Sequence, residues 1–345
     1  MAELRRRLPG AQLRWTALLL VLLVAAVLVA LSVGRYPVPV GDTVRFVLAA
    51  AGLQDMPQER FDLLYNVIVQ IRLPRVLTAV LVGAALAASG AAYQGVFRNP
   101  LVSPELMGVL AGSAFGAAVG ILISENWLVT QVLAFAMGVA AVVLGVAIAR
   151  LAGGASLVML VLGGIISGTL FTAFLSVAKF VADPYEKLPA IEYWLMGSLT
   201  LADLQVIGWV VLPMGLGIAA LAALGRPLDA LSMGDDEARS LGVPVTAVRF
   251  GVIAIATLVS AMTVSLAGMV GWVGLIVPHV ARLIIGPGNA PLLPASACLG
   301  ALFLLATDGV SRTLYNVEIP IGILTALLGV PAFLLVLHRA RKGWL

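Results

Sequence analysis

Of the 345 residues, 61% are hydrophobic and 11% charged, with a formal net charge of +4; soluble domains carry about 25% charged residues, so that class is excluded. The mean hydropathy of +1.08 instead points to a polytopic membrane protein with lipid as its solvent; an all-α fold is expected, and no nucleic-acid partner.

At the N-terminus Arg5, Arg6 and Arg7 precede an apolar core. Its uncharged run of about 18 residues exceeds the roughly 7 to 15 of a signal core, and no clear small-x-small cleavage site follows, so the segment reads as an anchor. A membrane span needs about 20 mostly apolar residues. Nine runs of at least 18 residues lack Asp, Glu, Lys and Arg: Thr16–Gly34, Val76–Phe97, Leu106–Ser124, Asn126–Ala149, Leu151–Ala178, Leu204–Gly225, Phe250–Ala281, Leu283–Thr307 and Ile319–His338. The stretch from Phe250 to Gly286 is too long for one helix, and Gly268, Gly271, Gly274 and Pro278 break it into a full span and a short broken one. Ten transmembrane helices result, in one transmembrane domain covering residues 1–345.

An even number of spans also suits the ends, where Arg5, Arg6, Arg7 and Arg14 and then Arg339, Arg341 and Lys342 favour the cytoplasm. With both termini inside, 13 cations including Arg98, Arg150, Arg226, Arg239, Arg249 and Arg282 face the cytoplasm, against 8 outside: Arg35, Arg45, Arg60, Arg72, Arg75, Lys179, Lys187 and Arg312. The sign is right and the bias modest, so the outer arginines call for a separate reason. Gly90, Pro100 and Gly108 recur at the spacing of Gly268, Pro278 and Gly286, in segments that run oppositely in this topology, as in the inverted repeats of transporters.

Between spans six and seven lies the densest charge in the chain, LDALSMGDDEARSLGV at 228–243. A connector needs fewer residues. This one has room for two short helices broken at Gly234, the second begun by Asp235, Asp236 and Glu237, whose carboxylates complement the exposed amides and the dipole. Gly242 followed by Pro244 stops it. A solvated loop and a docking surface for a soluble partner are the two readings.

Chemistry is sparse. Lys179, Lys187 and Lys342 follow Ala, Glu and Arg, so no G-x-x-x-x-G-K-[ST] phosphate loop exists and any ATPase is a separate polypeptide. His279 and His338 form no metal-binding pair, there is no nucleophile elbow, and Cys298 has no partner cysteine. No catalytic or metal site is expected, and no cofactor in this chain. Ion-coupled transporters place ionisable groups at mid-membrane; here only His279 and Arg282 are expected to lie deep. Met159, Met196, Met262 and Met269 read as packing. Small residues in Val161–Ser176 and Thr257–Gly274 fit close helix packing or a wide path.

IRLPR (Ile71–Arg75), SGAAYQGVFRNPLVSPELMGV (Ser89–Val109), WLMGSL (Trp194–Leu199), the charged segment, GLIVPHVAR (Gly274–Arg282) and the tail from Asp308 to Arg339 together resemble the permeases of type II ABC importers, which carry ferric siderophores, haem and cobalamin. The resemblance runs from about Gly34 to the C-terminus. It implies the type II importer fold, a second permease subunit that is identical to this one or a close relative of it, two cytoplasmic ABC ATPases using ATP and Mg, a periplasmic substrate-binding protein, and a location in the bacterial inner membrane. The chain itself is then no enzyme. The segment 228–243 is implied to be the coupling element in a groove of the ATPase, with Leu228, Asp229, Leu231, Gly234, Asp235, Asp236, Glu237, Arg239, Leu241 and Gly242 as contact residues. Arg72, Arg75 and Arg312 are implied to dock acidic side chains of the binding protein, for which the planar guanidinium is suited; the alternative is that Arg72 and Arg75 snorkel at the membrane surface. Ala182–Trp194, ADPYEKLPAIEYW, is expected on the outer side as a gate or a binding-protein contact. The expected cargo is an iron chelate, with haem, cobalamin or molybdate as alternatives. An ion-coupled secondary transporter and a membrane enzyme or scaffold are the competing classes.

Overall fold

The computed structural model describes residues 9–34, 36–152, 154, 156–200 and 203–341. Arg5, Arg6, Arg7, Arg35 and Lys342 lie outside the described residues, as do the side chains of Arg14, His338, Arg339 and Arg341. Helix α1 (Pro9–Ser32) is followed by the short α2 (Val40–Ala50) and α3 (Gln58–Leu64), and α3 runs through a π-helical stretch, Tyr65–Arg72, into α4 (Leu73–Phe97). Then come α5 (Val109–Ile123), α6 (Trp127–Leu151), α7 (Leu157–Val181), the short α8 (Lys187–Leu195) and α9 (Leu204–Ala223). Two short helices, α10 (Gly225–Met233) and α11 (Asp235–Ser240), precede α12 (Val245–Ala267), α13 (Val273–Ile285), α14 (Asn289–Thr313) and α15 (Ile321–Arg341).

Among the described residues, six helical stretches are long and apolar enough to cross a membrane: 58–97, 127–151, 157–181, 204–223, 245–267 and 289–313; four shorter apolar helices lie at 17–32, 109–123, 273–285 and 321–335. These ten elements match the ten expected from the sequence. The predicted break after Gly268 is real, since α12 stops at Ala267 and α13 begins at Val273. The turn between them carries positive φ at Gly268 (68°) and at Trp272 (70°), and the Trp272 amide donates to Glu105 Oε1 at 3.2 Å.

Helix α4 is the hub, packed against α9, α12, α13 and α14. Lipid tails are as apolar as leucine, so helices in a bilayer associate through close packing and polar contacts between them. Small residues make the closeness possible here: a Cβ at Gly83 would meet Gly300 O of α14 at 2.3 Å, and one at Gly90 would meet Gly274 O of α13 at 1.9 Å. The fully buried Tyr93 hydroxyl adds a polar contact, 2.9 Å from Thr257 Oγ1 on α12. A second group forms where Gly112, Gly116 and Gly120, one turn apart on α5, let its backbone touch Met137, Leu133 and Thr130 of α6.

Two expectations about charge need correction. Asp308 and Arg312 are not beyond the ninth span but inside α14, and Asp308 is fully buried. Charge-free runs cannot contain such residues; burial is tolerated because each carries a charged partner close by. His279 and Arg282 are therefore not the sole ionisable groups enclosed by the helices, and the exposed Glu105 meets the α12–α13 turn through its carboxylate. Arg282 donates to Gln94 Oε1 on α4, and the His279 ring meets Phe333 edge-on with centroids 6.3 Å apart.

Candidate functional site

The charged segment folds as the two short helices expected, with Gly234 between them at φ 138°. A Cβ there would fall 1.9 Å from Glu237 Oε2, so both conformation and space require glycine. Gly242, at φ 79°, ends the second helix with its amide donating to Arg239 O at 2.9 Å.

The segment has an inner and an outer face. On the inner face Leu228, Leu231 and Ala238 are buried in the core shared with α4 and α12. Asp229 accepts from the Asn289 and Ala290 amides at 2.5 and 3.3 Å, capping the start of α14, where unpaired amides and the dipole favour a carboxylate. Asp235 accepts from Arg249 Nη2 of α12 at 2.8 and 2.9 Å and from Arg98, which ends α4 in the left-handed region. Hydrogen bonding to Arg249 holds the Asp235 carboxyl below its ordinary range. One short segment is thus fastened to the ends of α4, α12 and α14.

The outer face is free of such ties. Met233 and Leu241 are 66% and 61% exposed, Asp236 and Arg239 pair with each other at 2.8 Å in the open, and Glu237 and Gly242 are exposed beside them. The ten residues grouped together from the sequence therefore divide: Leu228, Asp229, Leu231 and Asp235 anchor the segment, Gly234 and Gly242 shape it, and Asp236, Glu237, Arg239 and Leu241 are presented. Met233 belongs with the presented set and was not among the residues expected there; its place at the end of a short amphipathic helix was the available signal.

At the opposite end of the bundle the three arginines expected to be docking residues turn inward. Arg72, Arg75 and Arg312 are 5%, 8% and 6% exposed. Arg72 donates to Leu31 O at 2.6 Å, Ser32 O at 2.8 Å and Tyr36 O. Arg75 spans two carboxylates, Asp308 from Nε and Glu318 from Nη1, each at 2.6 Å. Arg312 donates to Val33 O at 3.0 Å and Ala30 O at 3.3 Å, with Nε 3.1 Å from Asp308 Oδ2. These guanidiniums close the carbonyl-rich end of α1 onto α4 and α14, and the snorkelling alternative fails for the same reason. In this conformation they offer no open fork to an incoming carboxylate.

The segment Ala182–Trp194, expected on the outer side, is part hook and part surface. Asp183 accepts from the Tyr185 and Glu186 amides at 3.2 and 2.7 Å, while Ile191, Trp194 and Leu195 are buried and Tyr185 is 90% exposed. Beyond α8 the Ser198 amide donates to Ala267 O at 2.9 Å, and the Ile321 and Gly322 amides donate to Gly197 O and Met196 O at 3.2 and 3.1 Å. The ends of α8, α12 and α15 are therefore stitched together by backbone hydrogen bonds.

This arrangement, a two-faced handle on three core helices and a charge-locked opposite rim, has clear relatives. A family model described as the FecCD transport family matches residues 21–339. The molybdate import system permease protein of Haemophilus influenzae is 39% identical over 94% of this chain and 95% of its own length. A probable iron chelatin permease of Helicobacter pylori is 38% identical over 82% of this chain and 86% of its own length, and the cobalamin import permease of Halobacterium salinarum 36% identical over 94% and 95%. Among solved structures, an inward-facing ABC transporter described as of metal-chelate type superposes with a TM-score of 0.83 at 36% identity, covering 94% of this chain and 98% of the other.

Proposed function

Because this chain belongs to the FecCD transport family and is the permease of an ATP-binding cassette importer, we propose that it moves an iron chelate such as a ferric siderophore inward across the bacterial inner membrane. In this reading it pairs with a second copy of itself, is powered by cytoplasmic ABC ATPases that bind ATP and Mg, and receives cargo from a periplasmic binding protein. Both termini and the segment 228–243 lie on the cytoplasmic side. Molybdate is a second reading, favoured by the 39% identity that extends along 95% of the Haemophilus influenzae permease.

The observation that carries the coupling role is the two-faced segment 228–243. Its inner face is tied through Asp229 to α14 and through Asp235 to α4 and α12, so a push on its outer face reaches three core helices at once. Docking by Arg75 remains part of the proposal in an altered form: a binding-protein carboxylate would take over the position of Glu318, whose side chain is 38% exposed while Asp308 beneath it is fully buried. The test is Leu241→Asp with Met233→Asp on the outer face. The expected outcome is loss of ATPase co-purification with the thermal stability of the permease unchanged. Full ATPase retention by the folded double variant overturns the assignment.

A further inference from the structure

At the end of α6 remote from the coupling segment, a cleft of about 290 Å³ opens between α6, α9 and α12. Its walls are apolar, with Val132, Phe135, Trp209 and Leu266 among them. Ser265, Gln131 and Trp127 interrupt that lining, and the Ser265 hydroxyl is already spent, donating to Met262 O at 3.0 Å. Gln131 is 7% exposed, and neither its amide nitrogen nor its amide oxygen has a hydrogen-bond partner among the described residues; Trp127 Nε1 also lacks one. Both residues lie on α6 four positions apart, hence on one face, and both line the cleft. Buried amide and indole groups are costly unless paired, so the cleft is built for an occupant that is apolar along its length and accepts hydrogen bonds at one point.

Depth and surroundings identify the class. Trp127 starts α6, following the Asn126 cap, and tryptophan concentrates at the membrane interface; Gln131 lies about 6 Å deeper along the helix, near the level where glycerol esters meet acyl chains. The neighbouring surface suits hydrocarbon, since Trp209, Leu212 and Leu216 of α9 are 77%, 67% and 62% exposed. We propose that this cleft is a specific site for one diacyl phospholipid of the leaflet opposite the coupling segment, with an acyl chain lying between α6, α9 and α12 and its ester carbonyl accepting hydrogen bonds from Gln131 Nε2 and Trp127 Nε1. The Gln131 amide oxygen accepts from a headgroup donor.

The test uses the intact transporter complex in nanodiscs of palmitoyl-oleoyl phosphatidylglycerol and phosphatidylethanolamine, released into detergent and weighed by native mass spectrometry. One retained phospholipid per permease is expected, with Gln131→Leu plus Trp127→Phe lowering retention about tenfold, the loss of about 1.4 kcal/mol of binding, and Leu216→Ala leaving it unchanged. A second arm needs no variant: ether-linked lipids with the same headgroups lack the carbonyl and should be retained about tenfold less than the ester lipids. Equal retention of ester and ether lipids, or unchanged retention by the double variant, overturns the proposal. So does efficient disulfide formation between two permeases through Val132→Cys, which would make the occupant a second copy of the chain.

Discussion

Asp235 and Arg249 form the tie that fastens the segment 228–243: one guanidinium nitrogen lies 2.8 and 2.9 Å from the two carboxylate oxygens, joining the start of α11 to the start of α12. Arg249 is the more enclosed partner, its side chain 11% exposed against 31% for Asp235. Asp235→Asn leaves that cation without its counter-charge. The expected cost is about 1 to 2 kcal/mol, below the 3 to 5 for a fully buried pair because Asp235 keeps access to water. The folded variant should still bind the ATPase through its outer face yet show reduced cargo transport per ATP hydrolysed in proteoliposomes.

The same tie has a pH signature. Arg249 lowers the folded-state pKa of Asp235, so its stabilisation is complete above the unfolded-state value of about 3.9 and is lost as pH falls through the lower folded value. The difference in thermal stability between wild type and Asp235→Asn should therefore be constant from neutral pH down to about pH 5 and shrink only below the unfolded-state value. A gap that closes between pH 7 and 6 would contradict the pairing.

Asp308 should be the most costly carboxylate to remove. It is fully buried between Arg75 and Arg312, and Asp308→Asn leaves two enclosed guanidiniums short of charge, a loss of about 3 to 5 kcal/mol. Glu318→Gln, at the half-exposed edge of the same network, should cost at most about 1 kcal/mol. Thermal unfolding of the purified permease in detergent distinguishes the two. Reversing Arg72 and Arg75 to glutamate is for this reason a poor docking test, since it would set carboxylates against the backbone carbonyls of α1 and the buried Asp308.

Two glycines set a steric contrast. At Gly90 a methyl group would overlap the backbone of Gly274, and neither helix can yield without separating; Gly90→Ala should abolish stable expression. Gly208 on α9 has nothing within 4 Å of such a methyl, so Gly208→Ala should be neutral or stabilise by about 0.5 to 1 kcal/mol. Size-exclusion profiles of the detergent-solubilised proteins report both.

The features readable from sequence were those written in neighbouring residues. Apolar length marked the ten helices, the glycines from Gly268 to Gly274 marked the break before α13, and Gly234 with its following acids marked the paired helices. What stayed hidden depends on partners far along the chain. Asp229 caps a helix 60 residues away, and Asp235 meets Arg98 from 137 residues away, so no local pattern separates these anchors from the presented Asp236 and Leu241. Arg72 and Arg75 looked like surface cations because the carbonyls and carboxylates that enclose them come from α1, α14 and the following loop.

In the proposed mechanism this chain is driven from the cytoplasm through its segment 228–243 and not by an ion gradient. The most direct measurement is uptake of labelled cargo by proteoliposomes holding the permease, its ATPase and its binding protein, in the presence of a protonophore. Uptake that persists, requires ATP and falls with Leu241→Asp plus Met233→Asp is the predicted result. Uptake that proceeds without ATP and collapses with the protonophore would contradict it.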